Sequence, residues 1–292
     1  MEIVSQGLQY IISGITSGSV YAVIALGFTV IHNATGVMNI AQGDFAVWGG
    51  LCLASFFNAL GLPLFISFLL AIAGVFLLGV IIERLIMRPI RNMELMMLIV
   101  VTIAISSALQ GLARLIWGPD TVSFPAFSGE VILKVFGAFI PLQVLWILGI
   151  IGMVSFLLWY FFERTIYGKA MKACSEDQLS ARAIGINPDR MILLSWGLSG
   201  ALGAVGGAVI IPITLMVYDA GLGFAIKGFA GAVLGGLGSY RGAVLGSILI
   251  GVLESVSAGY ISPLNKDIFS MGVVIVVFLV KPSGIFGSLT LK

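Results

Sequence analysis

The side chains able to do chemistry in this sequence are few, and they gather in two places. The first is HNATGVMNIAQGDF (32–45), where His32, Asn39, Gln42 and Asp44 interrupt an apolar stretch. The second, residues 163–190, carries nine of the ionisable side chains in a chain with only 15 Lys and Arg and 13 Asp and Glu. Neither has the make-up of a catalytic centre. His32 is the only histidine, so an HExxH zinc site is excluded. Gly168-Lys169 is followed by Ala170 and lacks the upstream glycine of a phosphate-binding loop, so the chain carries no nucleotide-binding loop of that kind. GGLGSYRG (235–242) has G-x-G-x-x-x-G spacing in apolar surroundings, which suits close helix packing better than a dinucleotide. Cys52 and Cys174 stand far apart, in no metal-ligand spacing. We therefore expect no catalytic residue, no metal and no cofactor in this chain.

What polar groups can do in an apolar chain is shape a path or meet a partner. Segment 32–45 has two readings: an ordinary loop with Asx turns and an Asn or Asp cap, or a broken segment in which Asn39, Gln42 and Asp44 line a translocation path. Other charges in apolar surroundings are Arg114, near a helix end from which it can snorkel, and Glu254, expected at an interface. Too few remain for the rows of charge of an ion pathway.

Segment 163–190 also reads in two ways. Ser175 with Gln178 fits a capping box, and Gly185 suits the left-handed position after a helix, so a short helix is expected over 176–184. Asn187-Pro188-Asp189 then supplies a cap, a proline at the first helical position and an acid in the first turn of the next helix. At helical spacing, Ala170, Cys174, Asp177, Ala181 and Ile184 form a narrow face of mostly small residues that can enter a groove on a partner. The alternative is a solvated loop whose positive charge merely sets topology.

The elements that must position these groups are membrane helices. The 292 residues are 59% hydrophobic and 10% charged, with mean hydropathy +1.13, against roughly 25% charged for a soluble domain. Apolar runs near the ~20 residues that cross a bilayer recur along the chain. We expect an all-α polytopic membrane protein, one transmembrane domain over 1–292 with no soluble domain, and about eight helices near 8–31, 40–60, 62–82, 94–117, 141–162, 191–217, within 226–258 and 265–281. Segment 226–258 is Gly-rich and is expected as two half-helices with a turn or one broken span. MEIVSQGLQY lacks the basic start of a signal peptide, so the first run is expected to stay as a membrane helix. The basic loops 83–92 and 163–190 are expected in the cytoplasm. That puts the N-terminus outside and, if 226–258 crosses twice or re-enters, the C-terminus with Lys281 and Lys292 inside. A formal charge of +2 is too small to point to nucleic acid.

Five stretches carry a more specific signal: GSVYAVIALGFTVIHNATGVMNIAQGDFAVWGG (18–50), ERLIMRPIRN (83–92), YGKAMKACSEDQLSARAIGINPDR (167–190), GFAIKGFAGAVLGGLGSYRGAVLGSILIGVLE (223–254) and KPSGIF (281–286). In order and without a large insertion, they resemble the LivH-type branched-chain amino-acid permeases of ABC importers. The family's NFAHGEF-like stretch corresponds to Asn39 to Phe45, with Gln42 for His and Asp44 for Glu. Its coupling-helix pattern E-A-A-x-x-x-G corresponds to Leu179 to Gly185, with Leu179 for Glu and Ser180 for the first Ala. The resemblance implies a bacterial inner-membrane subunit that pairs with a second related permease, two cytoplasmic ATPases that bind the ATP, and a periplasmic binding protein. It implies that Ala181 and Gly185 pack in an ATPase groove, with Asp177 or Arg182 at its rim, and that Asn39, Gln42 and Asp44 lie near a cavity for a zwitterion. Other cargoes, such as urea, amides or other amino acids, stay open, as does a stand-alone channel or secondary transporter.

Overall fold

The computed structural model describes residues 2–135, 138–281 and 284–285. Helix α1 (Glu2–Thr35) is followed by α2 (Gln42–Ala54), which runs into a π-helical turn (Ser55–Ala59). Next comes α3 (Leu64–Ile82), continued by a second π-helical turn (Glu83–Met87) and the single turn α4 (Arg88–Ile90), and then α5 (Leu95–Trp117). A small antiparallel hairpin, β1 (Ile132–Val135) and β2 (Ala138–Pro141), precedes α6 (Leu142–Arg164). The chain ends in α7 (Ile166–Glu176), α8 (Gln178–Ala183), α9 (Pro188–Ile210), α10 (Gly221–Gly235), α11 (Tyr240–Tyr260) and α12 (Lys266–Val280).

Among the described residues, six helices are long and apolar enough to cross a membrane: α1, α3 with its extension, α5, α6, α9 and α11. This is the all-α polytopic fold that the composition requires. The expected count of about eight is approximate because α2, α10 and α12, at 13, 15 and 15 residues, fall short of the ~20 that span the hydrocarbon alone. The Gly-rich segment 226–258 resolves into two helices, α10 and α11, joined by a turn in which Gly236 and Gly238 have φ of 101° and 91°. Only glycine enters that region without strain. The Asn33 amide at the end of α1 donates to the Gly238 carbonyl at 2.9 Å and pins the turn.

Helices α1 and α9 form the centre. From Val20 to Ile31 almost every side chain of α1 is buried, and Trp196, Ala204, Ala208 and Val209 do the same for α9. Around them pack α2, α3, α10 and α11. The outer surface is made by α3, α5 and α6, which expose Phe65, Leu77, Met96, Leu115 and Phe156, the side chains that a lipid-facing surface calls for. Glycine sets the inner spacing, because small residues let backbones approach. Gly14 and Gly18 of α1 meet Val252 and Ile248 of α11, so those two helices run antiparallel. Gly207 of α9 lies so close to α2 that a Cβ there would overlap the Ala46 carbonyl oxygen.

The charged segment departs from the sequence reading in one respect. Ser175 is not the cap: its hydroxyl donates to the Lys172 carbonyl at 2.7 Å. Asp177 takes that place, with an extended backbone (φ −155°, ψ 113°) and a side chain that accepts from the Leu179 amide at 2.8 Å. A carboxylate answers an unpaired helix-start N–H more strongly than a hydroxyl does. The helix therefore runs from 178 to 183 rather than 176 to 184, and a break separates it from α7. Ala170 and Cys174 thus lie on one helix and Ala181 on another, and no single stripe joins them. Gly185 has φ of 86° just past α8, and Asn187 caps α9 through the amides of Asp189 and Arg190, both as the sequence requires. Lys292 and parts of KPSGIF, at 282–283 and 286, lie outside the described residues.

Candidate functional site

Asp44 sits in the first turn of α2 and is buried. Its Oδ2 accepts from the Ser106 hydroxyl at 2.5 Å and its Oδ1 from the Gln110 amide at 3.1 Å. Both donors lie midway along α5, so the carboxylate stands near the middle of the bundle's depth. The start of α10 closes in from another side: Gly43 packs against the Gly221 carbonyl, and a Cβ on Gly221 would collide with Asp44 Oδ1. The positive ends of two helix dipoles, those of α2 and α10, thus converge beside a carboxylate that has only neutral hydrogen-bond donors. A charge in such a place is costly, and short helices ending at mid-depth are how transporters build polar sites.

Gln42 and Asn39 point elsewhere. Gln42 donates to the Ser199 carbonyl of α9 at 3.0 Å, and its Oε1 meets the Ser199 hydroxyl, which also donates to the Gly27 carbonyl of α1 at 3.0 Å. This joins α1, α2 and α9 through polar groups that the lipid could not satisfy. Asn39 accepts from the Ala41 amide at 3.2 Å, an Asx turn, while its Nδ2 is buried without a partner among the described residues. The three residues therefore share one segment but reach three different neighbours. Ser106, Gln110, Ser199 and Gly221 complete the picture, and in sequence each is an ordinary helix residue with nothing to tie it to 39–44.

At the end carrying the basic loops, Asp189 gathers three arginines: Arg91 at 2.5 Å, Arg88 at 3.0 Å and Arg182 at 3.6 Å. The loop after α3, helix α8 and the start of α9 are thus held by one carboxylate. Ala181 is turned inward and buried, together with Met171 and Cys174 of α7. The outward surface of this segment carries Leu179 and Ile184, which are 77% and 74% exposed, beside Arg182 and Gly185. Asp177 is exposed and committed to capping α8. Leu179, which stands where the coupling pattern has Glu, is therefore an exposed apolar side chain.

Glu254 is not a lone interfacial charge. Lys227 reaches it at 2.6 Å and Lys266 at 3.2 Å, Tyr21 donates to it at 3.0 Å, and Lys227 also meets Asp267 at 3.1 Å. The cluster balances two lysines against two acids and ties α1, α10, α11 and α12 together. Arg114 lies over the Tyr218 ring.

Residues 10–278 match the family described as "Branched-chain amino acid transport system / permease component". The chain belongs to this family. The high-affinity branched-chain amino acid transport permease LivH of Salmonella typhimurium is 35% identical, with 96% of this chain and 95% of the relative covered. BraD of Pseudomonas aeruginosa, a permease of the same description, is 32% identical over the same shares. The ribose import permease RbsC of Escherichia coli is 24% identical, covering 81% of this chain and 74% of its own length. Among solved structures, PsaBC from Streptococcus pneumoniae in complex with Fab aligns with TM-score 0.54 and 17% identity, over 93% of this chain and 91% of that one. That likeness concerns the fold alone. As a member of this permease family, the chain is a multi-pass membrane component of a transport system, and the mid-depth carboxylate belongs to a protein that moves solutes.

Proposed function

We propose that this chain is the translocating permease of an ATP-driven importer for branched-chain amino acids in a bacterial inner membrane. The observation that carries the cargo reading is the full-length similarity to LivH permeases, at 33–35% identity over 96% of the chain. In this reading the basic loops face the cytoplasm, the N-terminus lies outside and the C-terminus inside. A second related permease completes the path, two ATPases dock on the cytoplasmic side and bind the ATP, and a periplasmic protein delivers the substrate. Asn39, Gln42 and Asp44 belong to the path, with Asp44 the group that meets the substrate's ammonium once α2, α5 and α10 move apart.

The docking surface for the ATPases is the outward side of α8 and its C-terminal turn: Leu179, Ile184, Arg182 and Gly185. Asp177 and the buried Ala181 hold α8 in place rather than touching the partner first. Asp189 with its three arginines carries the push from α8 into α3 and α9. The test is the purified complex with Gly185→Trp and, separately, Leu179→Asp. Each is expected to weaken ATPase association and to cut uptake at least ~tenfold, the equivalent of one well-packed interface contact, with membrane insertion intact. Substrate-stimulated ATP hydrolysis at the normal rate in both variants would overturn the assignment. For the cargo, uptake of leucine that ribose, urea and short amides do not compete for supports the reading, and the reverse ranking overturns it.

A further inference from the structure

The end of the bundle that carries the basic loops holds a cavity of about 160 Å³, bordered by the end of α1, the π-helical turn after α3, the loop after α4, and helices α5, α8 and α9. One wall is apolar, with Leu98, Ile192 and Trp196; the other is polar, with Glu83, Arg91 and Gln178. Glu83 lies on the π-helical turn that follows α3, a local widening of the helix frequently found at functional sites. Its side chain is 1% exposed, Oε1 takes a long contact from Arg91 at 3.4 Å, and Oε2 is buried with no partner among the described residues. Arg91 is shared with Asp189, so it cannot fully answer Glu83. A buried carboxylate oxygen without a donor is costly and calls for an occupant. Nothing in the path reading uses Glu83, which lies on the turn after α3, whereas Asp44 is met by α5 and α10.

The lining specifies the occupant. A free carboxylate oxygen suits an ammonium group; the Arg91 guanidinium and the Gln178 amide suit a carboxylate; the apolar wall suits an aliphatic side chain. The volume is below the ~300–1,000 Å³ of pockets for drug-sized ligands and fits a single small molecule. We propose that this cavity binds one free aliphatic α-amino acid on the ATPase side, and that its occupancy slows transport. The cargo part of this proposal rests on the importer reading above, since the imported product accumulates on that side. The inhibitory part follows from position. Gln178 is the first residue of α8, and a ligand held by both Glu83 and Gln178 ties α8 to the end of α3, favouring whichever transport state has them close.

The experiment uses the complete permease–ATPase complex without its soluble binding protein. Equilibrium dialysis with radiolabelled L-leucine is expected to show saturable binding that Glu83→Gln weakens roughly tenfold or more, the loss of one charge-assisted hydrogen bond. Leu98→Phe, which crowds the apolar wall and leaves the Glu83–Arg91 pair intact, is expected to weaken it as well, so a folding defect in the first variant does not decide the matter. Competition by 3-methylbutylamine and 4-methylpentanoate, each lacking one charged group, is expected to be at least ~tenfold weaker than by leucine. In proteoliposomes to which the binding protein is then added on the opposite side, leucine on the ATP side is expected to slow ATP-driven uptake by the wild type and not by Glu83→Gln. No saturable binding, or equal binding by the wild type and both variants, overturns the site. Binding without any ATP-driven leucine uptake counts against the importer reading and leaves the site standing; normal uptake indifferent to leucine on the ATP side overturns the inhibition.

Discussion

At the scale of single residues, three carboxylates besides Glu83 are met in three different ways. Glu254 is neutralised by two lysines, Asp189 is outnumbered by arginines, and Asp44 has only a hydroxyl and an amide. Charge pairing explains the first two as structure. It does not explain the third, and a buried charge with neutral donors persists where the charge itself is used. Asp44→Asn keeps the shape and an acceptor for Ser106 while removing the charge, so it is expected to fold and insert but to lower ATP-driven uptake by at least ~tenfold, a loss of about 1.4 kcal/mol in the rate-determining step. Uptake at the wild-type rate would make Asp44 a packing residue. The thiol of Cys174 gives a second test outside the spans. It is buried beneath α7, and that burial pushes its pKa above the ordinary thiol range. A raised pKa means less thiolate at neutral pH, so maleimide labelling of the complex at pH 7 is expected to be slow and to accelerate only above the usual ~8.5. Fast labelling at pH 7 would show that α7 does not stay packed.

At the scale of helices, how much was legible in the sequence depended on whether a signal was local. Gly185, Asn187 and Pro188 mark their helix ends because capping acts over a few residues. The capping-box spacing points to Ser175, but Asp177, two residues on and the stronger acceptor, holds the cap. The short length of α2 was not legible, because an apolar run of membrane composition does not say where a helix stops at mid-depth, whereas the glycines of 226–258 left a short helix such as α10 among the expectations. Nor were the partners of Asp44, since Ser106 and Gln110 lie more than sixty residues away. Glycine shows the same limit: the chain has 38 of them, and only the packing separates those that matter. A Cβ at Gly207 overlaps the Ala46 carbonyl, whereas one at Gly149 of α6 meets nothing within 4 Å. Gly207→Val is therefore expected to cost ~1–3 kcal/mol or more by overpacking and to yield aggregated permease on size-exclusion chromatography. Gly149→Ala is expected to behave as the wild type or up to ~1 kcal/mol more stable. Equal behaviour of the two would mean that α2 and α9 are not in this close contact.

At the scale of the whole molecule, the proposed function gives the chain a path and a lever and assigns the motor to partner subunits. Helices α1 and α9 form a buried centre, the short helices α2 and α10 begin beside Asp44, and α8 stands at the surface with exposed apolar side chains. A secondary transporter would instead couple the substrate to a titrating or ion-binding group; Glu254 is charge-paired and leaves Asp44 as the candidate, whereas the similarity to LivH permeases over 96% of the chain favours an ATP-driven system. This argues for dependence on subunits outside the chain, and reconstitution decides it. Liposomes containing the permeases alone are expected to show no accumulation of leucine against a gradient, under a proton or sodium gradient or with ATP. Adding the ATPases and the binding protein is expected to produce accumulation that stops when ATP is withheld. The Leu179→Asp complex should then behave like the permeases alone if, as proposed, the surface of α8 both seats the ATPase and transmits its closure. Accumulation by the permeases alone would identify a secondary transporter and reduce the surface of α8 to a solvated turn.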